Sequence, residues 1–372
     1  MQGTASTVFP HEVGAFDRSI LVCVLMLACL GLVMVYSVSS VRGAETHADG
    51  FYFLKRQAVY LLIGLGVLMA SMRVHAATWR QAAYPALLVA LALLVLVLIP
   101  GIGVQVGGAR RWIRFPGFSV QPGEVIKIAM VLYMARSLSR KSDKMHIYSV
   151  GVLPHLIVLA IVATLLLAEP DLGTVLTLGM VCGAMMFIGG ARIKHLALTA
   201  LPGAVAAGLL IWHSPYRLRR VLSFLDPWSS PHSDGFQIIQ SFLAFGSGGL
   251  TGRGLGDSQQ KLFFLPEAHT DFILSVIGEE LGLIGVGFVI ILFAIIVVRG
   301  LRVALQCDDS FSALLAAGLA ILIGIEAFTN AAVVMGLLPT KGLTLPLVSF
   351  GGSSLIVSLW ACGILLSLSA RG

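Results

Sequence analysis

Long apolar runs recur along almost the whole chain, and they constrain its possible folds more than any other feature of the sequence. A helix needs about 20 mostly apolar residues to cross the hydrocarbon core of a bilayer. By this criterion the chain contains about ten transmembrane helices, near residues 19–39, 52–71, 82–100, 121–138, 147–167, 171–189, 193–212, 269–299, 311–337 and 345–369. The runs at 121–138 and 171–189 are the weakest, because charges and glycines interrupt them.

The composition of the chain agrees with this pattern. Its 372 residues are 57% hydrophobic and 12% charged, whereas soluble domains contain about 45–50% apolar and about 25% charged residues. The five cysteines are scattered, with neither metal-ligand spacing nor a disulfide framework. We therefore predict an all-α polytopic membrane protein that folds as a single domain over residues 1–372.

Ten spans would place both termini on the same side of the membrane. With the termini in the cytoplasm, the inner loops and helix ends hold more Lys and Arg than the outer loops, as the positive-inside rule requires. The difference is small, because a tight basic cluster at 110–114 lies on the outer side. We predict cytoplasmic termini and one long extracytoplasmic loop, 213–268, of a length that is uncommon unless it is functional. Its run "FQIIQSFLAFG" is predicted to lie at the membrane interface as an amphipathic segment.

Two arginine-rich motifs and one lysine lie on the predicted outer side. The motifs are "GGARRWIRFPG" and "SPYRLRRVLSFLDPW", and the cations of interest are Arg111, Arg217, Arg219, Arg220 and Lys341. The arginine fork suits phosphate oxygens. The net charge of +7 fits anionic headgroups or a phosphorylated ligand better than nucleic acid. The arginines therefore either hold a phosphorylated ligand or only contact lipid headgroups.

Several carboxylates lie within or at the rim of the predicted spans, where charge is costly. Glu124 and Lys127 share one helix face and either neutralise each other or contribute to a site. Asp171, after Pro170, is placed to cap a helix N-terminus. Asp271 lies in the first turn of the eighth predicted span, where the helix N-terminus is expected to keep it ionised. It is then either a helix cap or, beside the arginines, a general base.

Six stretches, in this order along the chain, resemble motifs of the SEDS family, the shape, elongation, division and sporulation proteins of bacterial cell-wall synthesis. They are "GARRWI", "QPGEVIK", "EPDLGT", "PYRLRRV", "GSGGLTGRGLGDSQQKLFFLPEAHTDFILSVIGEELG" and "LPLVSFGGSS". The resemblance covers nearly the whole chain. The stretches "PTKGLTLP" and "PEAHTDF" are more similar to the division branch than to the elongation branch. Phe350 departs from the pattern, since the family usually has Tyr before the two glycines.

The resemblance implies a peptidoglycan glycosyltransferase that polymerises lipid II at the outer face of the cytoplasmic membrane during division. Asp271 matches the catalytic aspartate of the family and is expected to deprotonate the acceptor GlcNAc 4-hydroxyl. That hydroxyl attacks the anomeric MurNAc carbon with inversion and displaces undecaprenyl pyrophosphate. Arg111 and Arg220, with Arg217, Arg219 and Lys341, are expected to hold pyrophosphate. The other expected substrate-binding residues are Glu124, Lys127, Gln240, His269, Ser349 and Ser353.

The resemblance also implies partners and a location in the bacterial cytoplasmic (inner) membrane. The expected partners are lipid II as substrate, a class B penicillin-binding protein transpeptidase of the FtsI type, and divisome proteins of the FtsQ, FtsL and FtsB types. A divalent cation, Mg or Mn, could assist, although no ligand cluster in the sequence specifies one. Three alternatives stay open: an elongation-type polymerase, a lipid II flippase and a non-catalytic scaffold. A flippase predicts polar residues along both leaflets, and a scaffold gives no reason for Asp271 beside the arginines.

Overall fold

The computed structural model describes residues 16–106, 108–115, 118–233, 235–260, 265–340 and 342–370. Within these ranges the chain forms a helical bundle with one small antiparallel sheet. The helices are α1 (Arg18–His47), α2 (Tyr52–Arg73), α3 (Ala76–Leu98), α4 (Pro122–Ser139), α5 (Leu153–Ala168), α6 (Leu172–Ile188), α7 (Ile193–Trp212), α8 (Pro215–Leu225), α9 (Phe236–Gly248), α10 (Ile273–Gln306), α11 (Ser310–Val334) and α12 (Gly352–Ser369). The strands are β1 (Gly103–Val106), β2 (Ala109–Phe115) and β3 (Phe118–Val120).

Helices occupy all ten predicted spans, which confirms the all-α polytopic membrane class. In the described part of the chain, eight helical segments are long and apolar enough to cross a membrane. They are α1, α2, α3, α7, α10, α11, α12 and the segment Tyr148–Ala168, in which a π-helical turn precedes α5. The other two are the interrupted runs, since α6 has only 17 residues and α4 contains Glu124, Lys127 and Arg136.

Helix α4 accommodates these charges because it lies inside the bundle. Nearly all of its residues are buried against other helices, including Glu124 and Lys127. Helix α7 is the opposite case, because none of its residues is buried. The charged side chains of α4 thus lie against other helices, where they can form ion pairs, whereas the apolar side chains of α7 face the surroundings of the bundle.

The described ends of the chain lie together at one end of the bundle. The backbone N–H of Asp17, before α1, donates to the Ser369 hydroxyl at the end of α12, over 3.0 Å. The Asp17 carboxylate also pairs with Arg299 of α10 at 2.7 Å. Because α10 starts just after Asp271 and runs toward Arg299, Asp271 lies at the opposite end of the bundle. The two described chain ends therefore share one side, as an even number of spans requires.

Two regions predicted as loops have regular structure. Residues 103–120 form a meander in the order β1-β2-β3. The run predicted to lie at the membrane interface forms α9, whose Ile238, Ile239 and Ala244 are buried. Helix α9 packs directly on α10, since a Cβ at Gly248 would lie 1.9 Å from the Gly278 carbonyl oxygen.

A kink in α10 receives the long loop. Gly282 has φ 68° and interrupts the helical path, so the preceding carbonyls need other donors. The backbone N–H groups of Arg253 and Gly254 supply them, donating to the carbonyls of Glu279 and Glu280, each over 3.0 Å. The buried Glu279 carboxylate holds the same loop, because it accepts from the Ser258 hydroxyl and from the N–H groups of residues 259 and 260.

Candidate functional site

Asp271 lies at the end of the bundle opposite the chain ends, in a non-helical turn just before α10. The N-cap residue of α10 is Phe272, and no side-chain hydrogen bond caps the helix. No donor among the described residues forms a hydrogen bond to the Asp271 carboxylate. The helix-cap interpretation of Asp271 therefore has no support in the structure, and its oxygens are available for other chemistry.

The environment of Asp271 favours its protonated form. Desolvation raises the pKa of this half-buried carboxyl to about 7, the negative charge of Glu267 adds to the rise, and Arg220 and Arg111 oppose it. We predicted that the helix N-terminus keeps Asp271 ionised. In the structure burial outweighs the favourable charges, so this carboxyl is only partly ionised at neutral pH. A carboxyl with a pKa near 7 exchanges protons readily at neutral pH, as a general base must.

Arg220 reaches the site from α8. This helix begins at Pro215, with the Ser214 side chain as its N-cap, which fixes the direction of the arginine-bearing segment. The half-buried Arg220 guanidinium donates to the Thr340 carbonyl over 3.2 Å and lies 4.7 Å from the centre of the Tyr216 ring. It therefore links α8 to the segment that follows α11.

The other arginines of α8 have different environments. Arg217 turns back toward α7 and donates to the Leu210 carbonyl over 3.3 Å. Arg219 is exposed. Lys341, also predicted to bind pyrophosphate, lies outside the described residues. The structure thus brings Arg220, rather than Arg217, to Asp271.

Arg111 approaches Asp271 from strand β2. Successive residues of a strand point to opposite faces, so Arg111 faces away from Arg110 and Arg114. Its Nε donates to the Glu169 carbonyl over 3.1 Å, and its Nη2 donates to the Pro170 carbonyl. Arg114 is exposed. The pleat of a short sheet, which the sequence pattern did not reveal, therefore selects one arginine of the cluster.

The loop that Arg111 contacts contains two carboxyls with different roles. Asp171 is the N-cap of α6 and accepts from the Thr174 N–H over 3.2 Å and from its hydroxyl over 2.8 Å. The predicted cap is confirmed. Glu169 is fully buried, and its carboxyl oxygens have no hydrogen-bond partner among the described residues. Desolvation raises the pKa of Glu169 to about 8, with Asp171 adding to the rise and Arg111 opposing it.

A buried charge cluster lies next to this loop. Lys127 Nζ is 2.7 Å from the Glu124 carboxylate and also donates to Glu326 of α11. Sequence analysis paired Glu124 with Lys127 and missed Glu326, although its position in the apolar run "GIEAFTN" was a usable signal. Both carboxylates contact the Lys127 ammonium. The structure therefore favours mutual charge neutralisation as the role of Glu124 and Lys127.

The cluster borders a small polar cavity of about 40 Å³. The cavity is lined by Gln121, Glu124, Lys127, Asp171, Thr174, Glu326, Gly342, Leu343 and Thr344. Gly342 joins the cavity to the candidate base, since a Cβ at this position would lie 3.2 Å from Asp271 Oδ2. Asp271 and the charge cluster therefore belong to one polar region.

Three of the other predicted binding residues form internal contacts. His269 is buried between Phe53 and Phe350, with ring centres 5.2 and 5.6 Å away, and desolvation lowers its pKa to about 4. The Ser349 hydroxyl donates to the Thr270 carbonyl, and the Ser353 hydroxyl bridges residues 119 and 121. Gln240 is half-buried on α9. Substrate binding by these residues stays a prediction.

Metal ligands are not grouped in the described part of the chain. No three or more His, Cys, Asp or Glu side chains there are arranged to hold an ion. The suggested Mg or Mn therefore gains no ligand set from these residues.

Comparison with known proteins gives consistent matches over nearly the whole chain. A family model described as "Cell cycle protein" (FtsW, RodA, SpoVE) matches residues 17–372. The "Probable peptidoglycan glycosyltransferase FtsW" of Geobacter sulfurreducens is 52% identical over 360 residues, which cover 97% of this chain and 96% of that protein. The "Stage V sporulation protein E" of Bacillus subtilis is 41% identical over 353 residues, 95% and 96% of the two chains.

Solved structures share the fold. A chain from "Structural coordination of polymerization and crosslinking by a peptidoglycan synthase complex" superposes with a TM-score of 0.78 at 31% identity, covering 95% of this chain and 98% of that one. The rod shape determining protein RodA of Thermus thermophilus gives a TM-score of 0.70 at 29% identity, covering 95% and 97% of the chains.

Proposed function

Because the chain belongs to the FtsW, RodA and SpoVE family of cell cycle proteins, we propose that it is a division-type peptidoglycan glycosyltransferase that polymerises lipid II. The relatives' names support this activity and the division branch. One structural observation supports it most directly. A half-buried carboxyl without a described hydrogen-bond donor, with a pKa of about 7, lies in the electrostatic field of two arginines.

The proposed reaction needs one base and a cationic surface. Asp271 accepts the proton of the acceptor GlcNAc 4-hydroxyl as that oxygen bonds to the anomeric MurNAc carbon of the growing chain. The bond from that carbon to the pyrophosphate breaks with inversion, and undecaprenyl pyrophosphate leaves with its electron pair. Arg111 and Arg220 stabilise the negative charge that develops on the leaving pyrophosphate, and this lowers the energy of the transition state.

The positions of the charged groups favour this activity over lipid II translocation. A flippase requires a polar path through both leaflets. Here Asp271, Arg111 and Arg220 lie together at one end of the bundle. The Lys127 ammonium is paired with the carboxylates of Glu124 and Glu326, so it is not available to a passing headgroup. Charged groups gathered at one end of the bundle suit a lipid-linked substrate whose headgroup reacts at one face of the membrane.

Detergent solution separates polymerisation from translocation, because micelles have no leaflets. The purified chain, alone and with its transpeptidase, is given fluorescent lipid II, and the products are resolved by glycan length. We expect strands that a muramidase digests, with faster synthesis in the presence of the partner. Folded protein that binds lipid II but forms no strands in either state would contradict the proposed activity.

The proposed partner is a class B penicillin-binding protein transpeptidase of the FtsI type. The similar solved chain comes from a peptidoglycan synthase complex that coordinates polymerisation with crosslinking, and a division enzyme needs both activities at one place. Proteins of the FtsQ, FtsL and FtsB types complete the proposed assembly. Its location is the bacterial inner membrane, with both termini in the cytoplasm and the Asp271 end of the bundle outside.

This orientation predicts a labelling pattern. Cysteines introduced as His232→Cys and Ser142→Cys occupy exposed positions, in a background in which the less buried native Cys29 and Cys307 are replaced by Ser. An impermeant thiol reagent added to intact cells should label position 232, and position 142 only after the membrane is opened. The reverse pattern would place the site in the cytoplasm and refute the proposed orientation.

Arg220 and Arg111 are expected to bind the pyrophosphate of lipid II. Arg220→Ala and Arg111→Ala should each weaken binding by about 1.5–3 kcal/mol, since each removes a charge-assisted contact. Lys should restore only part of the affinity, because it lacks the bidentate fork. Binding is measured with fluorescent lipid II, and Arg114→Ala, on the opposite face of β2, is the matched control. If all three Ala variants bind lipid II as tightly as wild type, the arginines contact only lipid headgroups.

A further inference from the structure

The backbone around Asp271 is held from outside its own segment. Residues 269–271 lie before the first turn of α10, so their carbonyls are not part of a regular helix. In chain order these three carbonyls accept hydrogen bonds from the Phe350 N–H over 2.9 Å, the Ser349 hydroxyl over 2.5 Å and Asn330 Nδ2 over 2.9 Å. The last of these bonds acts on the candidate base itself.

Asn330 connects Asp271 with the facing wall of the polar cavity. Its Nδ2 atom makes a second hydrogen bond to the Leu343 carbonyl, over 2.7 Å. Leu343 and Gly342 line the cavity, and Gly342 approaches Asp271 Oδ2 closely enough that a Cβ there would lie 3.2 Å away. One amide group therefore fixes both the segment that bears the carboxyl and the segment against which the carboxyl lies.

The chemistry of this position suits an amide. The NH₂ group has two protons on one nitrogen and can donate to two carbonyls at once. Asn330 is 1% exposed, and its Oδ1 has no hydrogen-bond partner among the described residues. A buried polar atom without a partner costs stability, so an apolar residue would be expected at this position of α11 if it served packing alone.

We infer that Asn330 is a positioning residue, whose amide fixes the Asp271 backbone relative to the 342–343 segment and thereby sets where the carboxyl lies for proton transfer. This inference rests on the proposed function, because it assigns Asn330 to the reaction of Asp271. Asn330 acts through the backbone of Asp271 and does not contact the reacting atoms. A misplacement of about 1 Å at such a group lowers the rate by up to about 10²-fold.

The test compares Asn330→Ala with Thr329→Val in the full chain, assayed with lipid II and the transpeptidase. Thr329 is a suitable control, because it is the neighbouring buried polar residue of α11 and its hydroxyl donates only to carbonyls of its own helix. We expect kcat of Asn330→Ala to fall about 10–10²-fold, with KM for lipid II little changed. A residue that contributed only to packing would lower the yield of folded protein and leave kcat per folded molecule intact.

Asn330→Ser provides a second variant if the alanine variant does not fold, since its hydroxyl keeps one donor in a small volume. We expect the kcat of Asn330→Ser to lie between those of wild type and Asn330→Ala. If Asn330→Ala does not fold, we expect the kcat of Asn330→Ser to lie below that of wild type. Wild-type kcat in Asn330→Ser, or a loss in Asn330→Ala no larger than in Thr329→Val, would overturn the inference. If Asp271→Asn is inactive while the Asn330 variants are normal, only the positioning role fails. If Asp271→Asn is active, the proposed base itself fails.

Discussion

The Asp271→Asn variant is expected to polymerise lipid II about 10²–10⁴-fold more slowly than wild type, which is the usual contribution of a general base. Asn has nearly the shape of Asp but cannot accept the hydroxyl proton. No described donor binds the Asp271 carboxylate and Phe272 caps α10 without a side-chain bond, so the substitution removes no structural hydrogen bond in the described part of the chain. The fold and the affinity for lipid II should therefore be retained, as checked by melting temperature and by binding of fluorescent lipid II.

Asp226→Asn is the matched control for this variant. Asp226 is an exposed residue at the C-terminal end of α8, so the same chemical change there should leave the initial rate near that of wild type. A folded Asp271→Asn protein with near-normal strand synthesis would remove Asp271 from the mechanism. Lost polymerisation with intact lipid II binding is the result we expect, and it also disfavours translocation as the main activity.

The Lys127→Met variant is expected to lose about 3–5 kcal/mol of stability, because it leaves two buried carboxylates without their common cation. Glu124 and Glu326 both contact Lys127 Nζ, and the side chains of all three are at most 11% exposed. The measurement is thermal unfolding of the purified protein in detergent. Lower stability should be accompanied by a smaller yield of folded protein.

Lys55→Met is the contrasting control. Lys55 forms an ion pair with Asp49 over 2.8 Å, but its side chain is 68% exposed. Exposed pairs contribute about 0–1 kcal/mol, so this change should barely move the melting temperature. Equal small effects in both variants would mean that the buried cluster does not stabilise the bundle.

The sequence was sufficient to predict the bundle, because apolar runs of membrane-spanning length are dictated by the bilayer. It predicted helices at 121–138 and 171–189 despite their interruptions, and the structure explains the charges of α4 by burial against other helices. The sheet at 103–120 was missed, since its strands have three to seven residues and lie in a polar loop. Helix α8 was also missed. The run that forms α9 was predicted only as an amphipathic segment at the interface, because its packing on α10 depends on contacts between residues that are distant in the chain.

The candidate site was predictable in residue type but not in geometry. The sequence singled out Asp271 and the arginine clusters, yet only the pleat of β2 distinguishes Arg111 from Arg114, and only the turn of α8 distinguishes Arg220 from Arg217. The sequence predicted that the helix N-terminus keeps Asp271 ionised, but it did not show the desolvation that raises the pKa of this carboxyl to about 7. Glu326 and Asn330 were missed because their partners are far away in the chain.

The pH dependence of strand synthesis tests the central claim most directly. It is measured as the single-turnover rate of wild type and Asp271→Asn with bound lipid II between pH 5 and 9. The pKa of Asp271 is raised to about 7 and the active form is the deprotonated one, so the wild-type rate should level off above that pH. Below it the rate should fall about tenfold per pH unit. Glu169, with a pKa of about 8, is a nearby carboxyl that Asp271→Asn leaves in place. The variant therefore isolates Asp271, and its residual rate should not fall with pH below pH 7. A wild-type rate independent of pH across this range, or the same slope in Asp271→Asn, would contradict Asp271 as the general base.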